Sequence, residues 1–219
     1  ERIMGTTAAE IKKRAEELRG QITADRGHLH QIPEIGMDLP GTADYIRRRL
    51  DEMGIPWKNC GGDLPEKVTK DFVEAGFPRM ERAVGITAVI GHGSPCILLR
   101  ADMDALPIRE DNDLDFKSEN GWGHMCGHDS HVAMLLGAAQ ILKEREDSLK
   151  GTVKLVFQPG EETGAGARVL VENGLLENPK VDAAFGIHVQ SVTKTGELGY
   201  AVGVNSASLD TFIVKIEGS

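Results

Sequence analysis

Apolar positions in the first quarter of the chain recur every three or four residues, which is the spacing of one face of an amphipathic helix. In the last of these stretches Ile46, Leu50 and Met53 share such a face. Gly20 is expected to end the first helix, and Thr42 is expected to begin the third as its N-cap. The pattern predicts three helices, over residues 7–19, 22–31 and 42–53.

The apolar pattern then changes to short runs of the kind that form buried strands. Runs over residues 84–90 and 96–101 are joined by a turn at residues 92–95, and they predict two adjacent strands. The stretch 57–82 is expected to be a long loop or insertion with a short helical patch at residues 66–75. Further helices are predicted over residues 131–146 and 167–172, and further strands over 152–157, 181–187, 196–204 and 209–216. This alternation indicates an α/β fold, with a mostly parallel sheet covered by helices on both faces.

The composition is typical of a globular protein, since 40% of the 219 residues are hydrophobic and 27% are charged. The formal net charge of -9 and the lack of a basic run argue against binding to nucleic acid. No apolar run reaches the ~20 residues that span a bilayer, so no membrane partner is expected. The three cysteines are an odd number and widely spaced, which argues against a disulfide framework and predicts a cytoplasmic protein.

Residues 123–131 carry an unusual density of side chains that bind metals. They contain three histidines, one cysteine and one aspartate, directly before an apolar helical stretch. A single histidine in this position could be explained as a cap of the helix. Capping does not explain three histidines and one cysteine within nine residues. Cys126 and His128 are one residue apart, so on a loop both can reach one metal ion, and thiolate and imidazole suit zinc and its transition-metal neighbours.

Other polar side chains follow the ends of predicted strands. Asp102 and Asp104 follow one strand, Glu161 and Glu162 follow the next, and His188 follows a third. In open α/β sheets, ligands bind beyond the carboxyl ends of the strands. These loops are therefore expected to converge with residues 123–131 on one edge of the sheet and to form a metal site.

The adjacent glutamates favour catalysis over a purely structural metal. Glu161 and Glu162 can point in different directions, so one can bind metal while the other stays free to accept a proton. Metal-assisted hydrolysis needs this division, because the metal lowers the pKa of water and a nearby carboxylate relays the proton. A structural zinc site would more simply use four cysteine or histidine ligands.

Two other functions remain open from the residues themselves. A cysteine hydrolase could use Cys126 as nucleophile with His128 or His131 as base, but this leaves Glu161, Glu162 and His188 unexplained. A metal-binding module without activity is the non-enzymatic alternative.

Several motifs, in order, resemble the M20 metallopeptidase family in its amidohydrolase branch. That branch includes hippurate hydrolases, N-acyl-amino-acid amidohydrolases, plant auxin-conjugate hydrolases and aminobenzoyl-glutamate hydrolases. The motifs are His-Gln-Ile-Pro-Glu at 30–34, Arg-Ala-Asp-Met-Asp-Ala-Leu-Pro at 100–107, Met-Cys-Gly-His-Asp-Ser-His at 125–131, Gln-Pro-Gly-Glu-Glu at 158–162 and Gly-Ile-His-Val at 186–189.

The resemblance implies a hydrolase of N-acyl amino acids or related small amides such as aminobenzoyl-glutamate, with two divalent metal ions: zinc, manganese, cobalt or nickel. Cys126 would bridge the ions, and Glu161 would be the general base. Asp104 matches the acidic position that orients a ligand in the wider family. The terminal metal ligands would be His128, Glu162 and His188.

The resemblance also implies a domain division. Residues 1–205 would form a catalytic domain whose C-terminal part is missing, and residues 206–219 would be the first strand of a lid domain that is otherwise absent. Because the lid of this family usually makes the dimer contacts, the complete protein is expected to be a homodimer acting on a small-molecule substrate.

Overall fold

The computed structural model describes residues 7–204, 212, 214 and 216–218. The chain divides into two compact units, the first ending at His188 and the second beginning at Val189. The strand predicted over 196–204 is wrong, because residues 189–204 form no strand. Most of the strand predicted over 209–216 lies outside the described residues, and the division at residue 205 stays a prediction.

The three predicted N-terminal helices are present, with shifted ends. They are α1 Ala8–Glu17, α2 Arg19–Gln31 and α3 Pro40–Glu52. Gly20 does not end α1, because α2 begins at Arg19 immediately after Leu18. Thr42 does not cap α3 either. The carboxylate of Glu34 accepts the backbone N–H groups of Gly41 and Thr42 at 3.1 and 2.8 Å, so a side chain from outside the helix caps its first turn.

Within the described residues, five strands form one sheet in the order β1-β2-β4-β3-β5. They are β1 Trp57–Asp63, β2 Arg82–His92, β3 Cys96–Asp102, β4 Gly151–Gln158 and β5 Ala183–Gly186. β3 pairs in parallel with β4 and β5, whereas β2 pairs antiparallel with β1 and β4. Four strands therefore point the same way and β2 runs against them, which confirms the α/β class and the prevailing strand direction.

Two sequence predictions about the sheet are wrong. The strands β2 and β3 are not adjacent, because β4 lies between them. Thr152 of β4 holds the connecting turn, donating its backbone N–H to Pro95 O at 2.9 Å and its hydroxyl to Gly93 O at 2.7 Å. The expected loop at 57–63 is the edge strand β1, where Gly61 has a φ of +114° and a Cβ would lie 2.4 Å from Ala83 O. The expected helical patch is α4 Glu66–Glu74.

Helices cover both faces of the sheet, as predicted. On one face, α3 and α5 (His128–Lys143) pack Ile46 and Leu136 into the same buried cluster as Phe157 of β4. On the other face, Leu170 of α6 (Gly166–Glu172) packs with Leu98 and Val156. A short 3₁₀ helix, Glu146–Ser148, precedes β4. Within the described ranges, no helix is long and apolar enough to cross a membrane.

Candidate metal centre

The predicted site residues come together at the carboxyl ends of three parallel strands. β3 ends at Asp102, β4 at Gln158 and β5 at Gly186, and their parallel pairing places these ends on one edge of the sheet. Asp104, Glu161, Glu162 and His188 follow these ends within a few residues. These side chains converge because β3, β4 and β5 run in the same direction, as expected for an open α/β sheet.

The start of α5 brings two more of these side chains to the same edge. α5 begins at His128, three residues earlier than predicted, because Gly127 serves as N-cap with a φ of +89° that favours glycine. Cys126 lies in the turn before this cap. His131 is one turn further along the same side of the helix.

The candidate ligand atoms lie within a few ångströms of one another. Cys126 Sγ is 3.4 Å from His188 Nε2. His128 Nε2 is 3.8 Å from Glu161 Oε2 and 3.8 Å from Glu162 Oε1. Three groups of three side chains share His128, and in each group the ligand atoms lie within 4.8 Å of one another. The groups are Cys126–His128–His188, His128–Glu161–Glu162 and Asp102–His128–His131.

The protonation of His128 is fixed by its neighbour. Its Nδ1 lies 2.8 Å from the backbone carbonyl oxygen of Asp104. Because a carbonyl can only accept a hydrogen bond, Nδ1 carries the proton and the lone pair of Nε2 is available to a metal. Nε2 is buried and has no hydrogen-bond partner among the described residues, and the same holds for Glu162 Oε1.

Such buried atoms without partners are rare in proteins and fit a site that binds a cation. The donor set of one thiol, two imidazoles and carboxylates suits zinc, manganese, cobalt and nickel. The residues present therefore fit a divalent metal.

The charges of the centre favour the same conclusion. Burial raises the pKa of Cys126 to about 12, and the nearby carboxylate of Glu162 adds to this increase. Burial also raises the pKa of Glu162, and the neighbouring charges of Glu161 and Asp104 act in the same direction. Crowded acidic groups of this kind are stabilised in their charged forms by a bound cation. A nucleophilic cysteine needs a lowered pKa, so this environment argues against the cysteine hydrolase alternative.

Asp104 is present at the centre but does not face the ligand cluster as an open carboxylate. Its side chain is buried, and it accepts the backbone N–H of Glu161 on Oδ1 and that of Glu162 on Oδ2, each at 3.0 Å. Oδ1 also lies 3.5 Å from His128 Nδ1, so the carboxylate contacts the backbone of the glutamate pair and one candidate ligand rather than solvent.

The contact between the buried side chains of Asp102 and His131 was not predicted from the sequence. Asp102 Oδ1 lies 2.5 Å from His131 Nδ1, and Asp102 Oδ2 lies 2.6 Å from an Arg100 guanidinium nitrogen. The His131 ring lies 4.6 Å from the ring of His188, centroid to centroid. The signal available in the sequence was the placement of Arg100 and Asp102 at the end of a buried strand.

A buried network of charged side chains contacts the first turn of α5, next to the centre. His30 Nδ1 lies 2.8 Å from Asp129 Oδ2, and His30 Nε2 lies 2.9 Å from Glu110 Oε1. Arg26 Nε donates to the same Asp129 oxygen at 3.2 Å. Because Asp129 follows His128 in α5, this network connects α2 and the loop after β3 to the helix that begins at the centre.

The fold, the edge of the sheet and the donor set define a candidate divalent-metal centre in an α/β domain. The chain matches the model of Peptidase family M20/M25/M40 over residues 98–217 and belongs to this family, which confirms the resemblance of its motifs.

Individual relatives agree with this assignment. The chain is 42% identical over 195 residues to IAA-amino acid hydrolase ILR1-like 5 of Arabidopsis thaliana, covering 88% of this chain and 40% of that protein. It is 39% identical over 203 residues to N-acetyl-L-cysteine deacetylase of Bacillus subtilis, covering 92% and 44%.

A solved structure is also similar. The YXEP protein of Bacillus subtilis, described as a dinuclear metal binding peptidase from the M20 family, superposes with a TM-score of 0.65 at 36% identity, covering 80% of this chain and 44% of that one. The chain therefore spans less than half the length of these relatives.

Proposed function

We propose that the complete protein is a metal-dependent amidohydrolase that cleaves the amide bond of N-acyl amino acids or related small amides, with Glu161 as the general base. The observation that carries this proposal is the difference between the two adjacent glutamates. The side chain of Glu161 is 39% exposed, whereas that of Glu162 is 19% exposed, and both reach to 3.8 Å from His128 Nε2. The Glu162 side chain is thus the less exposed of the two, and that of Glu161 is more accessible to water and substrate.

This difference supports separate roles. Glu162 is proposed as a ligand, because its buried oxygen has no hydrogen-bond partner among the described residues. Glu161 can accept a proton from water at the site and later deliver it to the leaving amine. A bound divalent ion supplies Lewis acidity and lowers the pKa of water.

The ligands are proposed to be Cys126, His128, Glu162 and His188, which would hold two divalent ions. The description of the similar Bacillus subtilis protein as dinuclear supports the same number. Zinc, manganese, cobalt and nickel all remain compatible with these donors.

The substrate class is supported by the names of two relatives. An IAA-amino acid hydrolase and an N-acetyl-L-cysteine deacetylase both carry names that describe removal of an acyl group from an amino acid. We propose the same class for this protein, with aminobenzoyl-glutamate as one further candidate. A homodimer formed through a lid domain, and a cytoplasmic location, stay predictions.

The test uses the complete natural protein. Its metal content is measured together with hydrolysis of N-acetyl, N-benzoyl and aminobenzoyl amino acids. Two bound ions with turnover are expected. One tightly held ion without turnover would favour the metal-binding module.

The role of Glu161 is tested by Glu161→Gln, which should retain metal and lose about 10²–10⁴-fold in kcat. Glu172→Gln, on the exposed side of α6 and paired with Arg168, is the control and should keep full activity. A metal-replete Glu161→Gln protein with near-normal turnover would refute the assignment.

A further inference from the structure

We infer that Ile108 and Met125 form an apolar wall beside the centre, and that this wall binds a substrate acyl group that is larger than acetyl. This inference rests on the proposed function and specifies its substrate class. The side chains of Ile108 and Met125 are 47% and 40% exposed, although both are large and apolar. Ligand sites in proteins combine a few polar groups with apolar walls, and the candidate ligands and base supply only the polar groups.

Met125 is placed next to the centre by its position in the chain. It directly precedes Cys126, whose Sγ lies 3.4 Å from His188 Nε2, and consecutive Cα atoms are about 3.8 Å apart. The backbone N–H of Met125 donates to Gly123 O at 2.9 Å, which fixes the turn that presents the methionine side chain. A substrate whose carbonyl group lies at the candidate ligands therefore brings its acyl group close to Met125.

Ile108 and Met125 approach the same glycine from two segments of the chain. Leu106 and Gly123 exchange backbone hydrogen bonds at 3.1 Å in both directions and form an antiparallel bridge. A Cβ on Gly123 would lie 2.3 Å from Met125 Cε and 3.1 Å from Ile108 O. The methionine side chain therefore lies across Gly123 beside the backbone of Ile108, which a side chain at residue 123 would prevent.

The loop of residues 106–123 is held to α2 by a buried carboxylate. Glu110 Oε2 accepts the N–H of Ser118 at 2.9 Å within the loop, and Glu110 Oε1 lies 2.9 Å from His30 Nε2. These contacts fix the segment that carries the isoleucine of the wall. A wall that is already ordered loses little conformational freedom when a ligand binds, so its apolar contacts contribute more fully to affinity.

The acyl group is the part of an N-acyl amino acid that fits this wall. The amino-acid part carries a charged carboxylate, which is costly to place against apolar side chains. A benzoyl group offers a flat apolar ring, and methionine sulfur makes favourable contacts with aromatic rings. An acetyl group ends in a single methyl group and gains much less. We therefore expect the protein to prefer N-benzoyl over N-acetyl derivatives of the same amino acid.

The measurement is kcat/KM of the complete metal-loaded protein for N-benzoyl-alanine and N-acetyl-alanine. The wild type should favour the benzoyl substrate by about tenfold or more, which is the low end of what contacts in an apolar pocket contribute to discrimination. Met125→Ala should reduce this ratio by about fivefold or more. The change should lie mainly in KM, because a wall that holds the acyl group binds ground state and transition state alike.

Two further variants separate a binding role from a general disturbance. Ile108→Ala should lower the benzoyl-to-acetyl ratio in the same direction as Met125→Ala. Met125→Leu keeps an apolar side chain of similar volume and should retain most of the preference. The metal content of each variant is measured as well, since loss of metal would lower the turnover of both substrates alike.

Met134→Ala is the matched control. Met134 is also an exposed methionine, but it lies on α5 six residues after His128. Its substitution should leave the benzoyl-to-acetyl ratio and the metal content at their wild-type values. N-Benzoyl-leucine, compared with N-benzoyl-alanine, reports on the amino-acid side chain in the same set of variants.

An unchanged benzoyl-to-acetyl ratio in both Met125→Ala and Ile108→Ala would overturn the inference. An equal loss for both substrates would also overturn it, since another part of the complete protein would then cover the wall. A change confined to the leucine-to-alanine ratio would place the amino-acid side chain on the wall instead of the acyl group. Absence of hydrolysis of all these amides by the wild type would refute the proposed function itself, whereas active variants with the wild-type ratio would refute only the wall.

Discussion

At the scale of single residues, chemistry at this edge of the sheet depends on how each polar atom is surrounded. Glu161 and Glu162 are neighbours in the chain, yet their side chains differ in exposure by a factor of two. The sequence could predict which residue types gather here, because their spacing after strand ends is visible. It could not show that the carboxylate of Asp104 turns toward backbone amides, since that depends on the path of a loop more than 50 positions later.

Cys126 offers a test at this scale. Cys126→Ser should weaken metal binding by about 10²-fold or more, because a thiolate is a stronger ligand for these metals than a hydroxyl group. Cys60→Ser is the matched control, since Cys60 is also a free, half-buried cysteine but lies in β1. Competition with a chelator measures both affinities. Equal metal affinity in the two variants would show that Cys126 is not a ligand.

At the scale of elements, apolar runs predicted four of the strands described here but not the edge strand β1. β1 has no fully buried residue, so its composition gave no strand signal and only its pairing with β2 defines it. The start of α5 was misplaced by three residues for a related reason. His128 and Asp129 are polar but buried, because their partners come from distant parts of the chain. Asp104 lies in the loop after β3, and His30 lies in α2.

The packing of α6 against the glutamate turn gives the next prediction. A Cβ on Gly166 would lie 1.8 Å from Pro159 O, so Gly166→Ala must push the turn that carries Glu161 and Glu162. We expect the free energy of unfolding to fall by about 1–3 kcal/mol, with a matching loss of metal affinity. Urea unfolding and metal titration measure the two effects.

Gly20→Ala is the control for that change. Gly20 lies inside α2, and a Cβ there has no heavy atom within 4 Å. The same substitution should therefore stabilise the protein by about 0.5–1 kcal/mol, since alanine favours a helix interior over glycine. Equal effects at the two positions would mean that the turn accommodates the added methyl group.

At the scale of the whole molecule, the order of the strands in the sheet was the property that could not be predicted from the sequence. A short turn between two apolar runs suggests a hairpin, but β4 is inserted between β2 and β3 and arrives from 50 residues later. The alternation of strands and helices was enough to place the centre, because it fixes the direction of β3, β4 and β5 whatever their order.

The network around His30 ties distant segments together and should make stability depend on pH. Asp129, as the main cause, raises the pKa of His30 above its ordinary value of 6.5. Burial alone would raise the pKa values of Glu110 and Asp129, but hydrogen bonds from His30 lower them below 4.5 and 3.8. The contribution of His30 to the free energy of unfolding is complete below pH 6.5. It is lost as the pH rises through the pKa of His30 in the folded protein. The contributions of Glu110 and Asp129 are complete above the ordinary pKa values of their carboxyl groups. They are lost as the pH falls through the lowered pKa values in the folded protein.

His30→Gln should therefore destabilise the protein most between pH 4.5 and 6.5, by on the order of 3 kcal/mol, and less at higher pH. Urea unfolding at about pH 5.5 and about pH 8.5 tests this, with His92→Gln at the exposed end of β2 as control. A difference between wild type and His30→Gln that does not change with pH would contradict the proposed charge pairing.

The position of the turn between β2 and β3 has a practical use. Gly93, Ser94 and Pro95 are exposed, and they lie at the amino end of β3, away from Asp102 at its other end. Thr152 holds this turn through the carbonyl groups of Gly93 and Pro95, so replacing the exposed side chain of Ser94 leaves these bonds in place. A fluorescent label or an immobilisation linker attached at Ser94→Cys would leave the opposite edge of the sheet uncovered, which makes this turn a suitable attachment point for a surface-bound biosensor.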